Sequence, residues 1–151
     1  MITETQIDLI VEDFEKNQSK FETVLEEIDR DNAQLFDILL GSHAEVLNDE
    51  EMDYLIFLFV IIYKAISQNY SILKLEEEAI EIADEASWEI INDCVDFTKS
   101  YDRIESEHSE KELLEFIFIS LEEDEDNNIS ETGRLVMLSV LASEVKLLCV
   151  E

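Results

Sequence analysis

The sequence predicts an all-α protein, a compact bundle of five or six helices forming a single helical domain over residues 1–151. Three observations carry that expectation. The chain has no proline and only two glycines, Gly41 and Gly133, so it lacks the turn residues that a many-stranded β fold needs at its hairpins. Apolar residues make up 46% of it and recur at spacings of three and four, enough to fill a helical core. The stretch from Tyr54 to Tyr63, YLIFLFVIIY, has no polar interruption. A helix built from it has no amphipathic face and needs cover on all sides. The expected architecture therefore places a fully buried central helix at about residues 48–69, with Asn48 and Glu51 as its capping pair.

The other elements follow in chain order. Ile7, Ile10, Val11 and Phe14 form the apolar stripe of a first helix that starts near Thr3 and is broken by the polar run 16–19. Ser19 and Glu22 offer the cap of a second helix. Its stripe (Phe21, Val24, Leu25, Ile28, Leu35, Ile38, Leu39) continues to a stop at Gly41, with a kink expected at Asp29–Asn32. Beyond the central helix, Leu75, Ala79, Ile82, Ala86, Ile90, Cys94, Phe97 and Tyr101 read as the core stripe of one long helix from about Ile72 to Tyr101. A polar connector follows, then a helix capped by Ser109 and Glu112. A last helix begins at Asn128 or Ser130, with Ser139, Ser143, Glu144 and Lys146 interrupting its apolar run.

The charge narrows the function. Thirty-nine acidic residues against ten lysines and arginines leave a formal net charge of −29. Such a surface repels nucleic acid phosphates and anionic membranes, so neither is an expected direct partner. A basic protein is the expected one. The acidic N-terminal sequence does not read as a secretory signal. Cys94 and Cys149 are too few for a disulfide framework, and a cytoplasmic location is expected. No glycine-rich phosphate loop, nucleophile elbow or Cys–His motif is visible, so catalysis is not expected.

The candidate partner-binding residues lie in the fourth segment. Glu77, Glu81, Glu85, Glu89 and Asp93 recur every four residues, which stacks their carboxylates along one helix face. Nine acids and no base occupy residues 76–96. Trp88 falls on the helical wheel beside Asp84, Glu77 and Glu81, opposite the expected core stripe. It is therefore either an aromatic anchor within an acidic surface or part of a second apolar strip packed on another helix. The expected function is a non-catalytic interaction module that offers Glu77, Glu81, Asp84, Glu85, Trp88 and Glu89 to a basic partner. One alternative is a nucleic-acid-mimicking inhibitor or immunity-type protein. Nine acids over 21 residues give about one charge per 3.5 Å of helix, against one phosphate per ~3.4 Å of a DNA strand. The other alternative is an enzyme or cation-binding protein that uses its acids.

Cation chemistry has one candidate. Glu122, Asp124, Asp126 and Asn128 precede Ile129, and this segment resembles an EF-hand calcium loop, with Asp124, Asp126 and Ile129 at the third, fifth and eighth positions. It departs from that pattern at the first position, Glu122, at Asn127 in place of glycine, and at Gly133 in place of the bidentate glutamate. Glu105 and His108 form a Glu-x-x-His fragment with no second copy, and no pair among His43, His108, Cys94 and Cys149 has zinc-ligand spacing. No cofactor is expected.

Overall fold

The computed structural model describes residues 1–122 and 129–149. Among them are seven α-helices and no strand, closely packed: α1 (Glu4–Lys16), α2 (Gln18–Gly41), α3 (Asp49–Ser67), α4 (Glu77–Cys94), α5 (Phe97–Ser106), α6 (Lys111–Leu121) and α7 (Glu131–Leu148). The additional helix arises because the expected long segment to Tyr101 divides at Val95, whose backbone turns to φ 62°.

Local chemistry sets most boundaries. Thr3 and Gln6 form a reciprocal capping box at the start of α1, and Asn48 and Glu51 form another at the start of α3. Asn17, rather than Ser19, caps α2, because its side chain accepts the Ser19 amide at 3.1 Å. The kink in α2 falls at Asn32, which leaves helical geometry (φ −145°, ψ 48°) while almost fully buried. There it donates to the Leu73 carbonyl at 3.2 Å and accepts the Leu75 amide at 3.0 Å, so one side chain pins the connector between α3 and α4. Ser109 does not cap α6. Its N-terminal position belongs to Glu110, a buried carboxylate that accepts the Ile2 amide at 2.9 Å and the Tyr70 hydroxyl.

The apolar run in α3 is buried at Leu55 and throughout 58–63, whereas Tyr54, Ile56 and Phe57 are half-buried. Phe57 meets Phe21 of α2 with ring centroids 5.9 Å apart, and Tyr54 reaches out to donate to the Ser120 carbonyl at 2.8 Å. The more enclosed helix is α7, in which residues 136–145 are all buried. It packs against α2, α3, α4, α5 and α6, most extensively against α4. Of the polar residues that interrupt α7, Ser139, Ser143 and Glu144 show no solvent exposure, whereas Lys146 is exposed.

No described helix is long and apolar enough to cross a membrane.

Candidate functional site

Helix α4 turns a different face to the core than its sequence stripe suggested. Ile80, Ala83, Ser87 and Ile91 are buried, while Ala79 is exposed and Ile82 stands 58% exposed. The small residues are used against α7. Ser143 Oγ lies 2.8 Å from Ser87 Oγ, 2.9 Å from the Ser139 carbonyl and 3.3 Å from the Ala83 carbonyl. Such short polar side chains let the two helix backbones approach closely.

This rotation sorts the candidate residues into two groups. Trp88 and Asp84 sit beside the buried face. Trp88 is half-buried and packs against the core, with its ring centroid 5.1 Å from that of His43. His43 Nε2 in turn lies 3.1 Å from Asp84 Oδ1, with both side chains largely shielded from water. His43, Asp84 and Trp88 thus form an internal clasp that fastens the loop after α2 to α4, and Trp88 does not stand free as an anchor amid acids. The second group faces outward. Glu77, Glu81, Glu85 and Glu89 are all exposed, one above another at intervals of about 6 Å along the axis. No lysine or arginine ion-pairs with them among the described residues. Three of the nine acids in 76–96 are engaged elsewhere: Asp84 with His43, Asp93 with Arg103 at 3.5 Å, and Asp96 as the side-chain cap of α5.

The remaining motifs resolve into structural roles where they are described. Asp124, Asp126 and Asn128 of the calcium-loop candidate lie outside the described residues, and Glu122 ends α6. Gly133, which takes the place of the bidentate ligand, sits in the first turn of α7 against Glu51. A Cβ there would come within 2.1 Å of Glu51 Oε2. Glu51 needs that clearance because Oε2 accepts both the amide (2.9 Å) and the hydroxyl (2.8 Å) of Ser130, the N-cap of α7, while Oε1 accepts the Asn48 amide (3.1 Å). Burial alone would raise the carboxyl's pKa. The three hydrogen bonds outweigh it and hold Glu51 below the usual glutamate value.

Glu105 lies in the last turn of α5 and His108 follows the helix half-buried, its burial favouring the neutral imidazole. Cys94 and Cys149 are free thiols, and burial pushes the Cys149 thiol up to about 12, far from the reactive thiolate range. Among the described residues, no three His, Cys, Asp or Glu side chains converge on a possible metal position.

The feature that sequence reasoning missed is Glu144. Its carboxyl lies wholly within the core, and neither oxygen has a hydrogen-bond partner. Burial raises its pKa well above the ordinary value, which favours the neutral acid. No protein-family model, curated protein or solved structure matches this chain.

Proposed function

We propose that this protein is a non-catalytic interaction module whose α4 presents a column of carboxylates to a basic protein. The observation that supports this reading is the outward row of Glu77, Glu81, Glu85 and Glu89, exposed and without ion pairs among the described residues. Like charges at this spacing oppose the helix by about 0.2–0.5 kcal/mol per step. A cationic partner relieves that repulsion, so binding and helix stability reinforce one another. Trp88 contributes indirectly, by holding α4 in place through His43. Nucleic acid mimicry draws less support, because Asp84 is drawn inward to His43 and Asp93 pairs with Arg103, which shortens the outward row that it requires.

The test is a pull-down comparing wild type with a variant carrying Glu77, Glu81, Glu85 and Glu89 all changed to Gln, with circular dichroism confirming that both are folded. Basic proteins should be recovered by wild type, in a salt-sensitive manner, and largely lost with the variant. Equal recovery by the two would end the claim.

A further inference from the structure

A second surface, on the side of the molecule formed by α1 and α6, has a different chemistry. The two helices begin next to each other: Glu112 Oε1 accepts the Glu4 amide at 3.4 Å, and the Ile2 amide just ahead of α1 donates to Glu110 just ahead of α6. Between them runs a groove of about 260 Å³. Its apolar lining comes from Ile7 and Val11 on α1 and from Phe116 and Ile119 on α6. Ile7 is buried, Val11 and Phe116 are half-buried, and Ile119 is 59% exposed, so the apolar surface grades from the core out to the solvent. The groove is also edged by Glu4, Asp8, Glu112 and Glu115.

No base neutralises this rim among the described residues. Lys16, the one base of α1, pairs with Glu12, and Lys111 at the head of α6 donates to the Glu105 carbonyl. The lining residues of α1 follow one another at helical spacing from position 4 to position 11, two turns or about 10 Å of axis. A floor of branched and aromatic side chains between two acidic walls complements one kind of occupant. It would need an apolar stripe at i, i+3, i+4 and i+7 with lysines or arginines on either side of that stripe. A second copy of this chain fits the rim poorly, since each carries a net charge of −29. Phosphate-bearing surfaces are repelled for the same reason.

We propose that the α1–α6 groove seats a short cationic amphipathic helix of a partner protein, with apolar side chains against Ile7, Val11, Phe116 and Ile119 and basic ones against Glu4, Asp8 and Glu115. The site does not include α4 and stands apart from the carboxylate column.

The probe is a fluorescein-labelled synthetic peptide of leucine and lysine, patterned so that all leucines share one helical face. Its control has the same composition shuffled to remove that face. Anisotropy at physiological salt should show saturable one-to-one binding of the amphipathic peptide and much weaker binding of the shuffled one. Ile119→Lys, at an exposed position that the fold does not depend on, should weaken binding by about tenfold or more, a change of ~1.4 kcal/mol. The variant with four glutamines in α4 should keep the preference for the amphipathic peptide over the shuffled one, since that preference rests on the groove. The proposal is overturned if neither peptide binds, if both bind alike, or if Ile119→Lys has no effect. Loss of binding in the α4 variant instead would assign the peptide to that helix. A dimer seen by size exclusion and abolished by Ile119→Lys would assign the groove to a second copy.

Discussion

Two glutamates show how far environment can separate identical side chains. Glu51 is buried but accepts three hydrogen bonds, and its carboxyl stays easier to ionise than usual. Glu144 is buried with none, and its carboxyl is held in the acid form. The stability consequences have opposite signs. Glu51 stabilises the fold above its unfolded value of 4.5, and that contribution is lost as pH falls through its lowered folded value. For Glu144 the folded value is the higher one. Above pH 4.5 the unfolded chain releases a proton that the fold retains, so stability declines as pH rises, by at most about 1.4 kcal/mol per unit. Glu144→Met, which keeps the volume and removes the carboxyl, should therefore raise the melting temperature, and by more at about pH 8 than at about pH 5. A gain of ~2 kcal/mol at the higher pH corresponds to roughly 4–8 °C in a chain of this size. Thermal unfolding at the two pH values checks it, and an equal shift at both would rule out titration of Glu144 as the cause. The sequence marks Glu144 only as a polar break in an apolar run. Nothing in its immediate neighbours distinguishes a break that faces water from one folded inward.

At the scale of elements, some side-chain caps were legible and others, Asn17 of α2 and Asp96 of α5, were not. Thr3 and Asn48 start the helices that they were expected to start, and Ser130, one of two expected starts, begins the last. The errors cluster around α4 because no glycine or proline marks the break at Val95. Leu75 lies ahead of the α4 N-cap, Glu76, and Phe97 and Tyr101 belong to α5. A stripe drawn through all three assumes an unbroken helix. It fixes the phase in the middle wrongly, choosing Ile82 and Ala86 where Ala83 and Ser87 are buried. The same mistake placed Trp88 opposite the core. The break itself carries strain, since a β-branched residue at φ 62° brings its Cβ against the backbone. Val95 is 71% exposed, so little packing is lost when its side chain is removed. Val95→Gly should stabilise the protein by about 1 kcal/mol, the reverse of the usual effect of glycine next to a helix. Urea denaturation would measure it, and a destabilised variant would show that the valine side chain contributes more than its backbone costs.

For the whole molecule, composition announced the all-helical class and the excess of acid but not where the excess would lie. The ion pairs of Lys16, Lys20, Arg30 and Arg103 are solvent-exposed, and each adds little. Mutual repulsion among the remaining carboxylates is therefore largely uncompensated and open to screening. Raising sodium chloride from ~0.05 M to ~0.5 M should lift the melting temperature by roughly 3–6 °C, equivalent to about 1–2 kcal/mol. A flat response would mean that the acids are too dispersed to interact. Enclosure was less legible than the charge, because uniform apolarity points to α3 while α7, with its serines and glutamate, is buried over a longer run. That placement bears on how the protein is made. A ribosome releases α7 after the six other helices, so the faces of α2 to α6 that rest on it stay wet until the end of this stretch has been synthesised. Through that interval the acidic residues already released give the growing chain a charge that keeps one nascent copy away from the next.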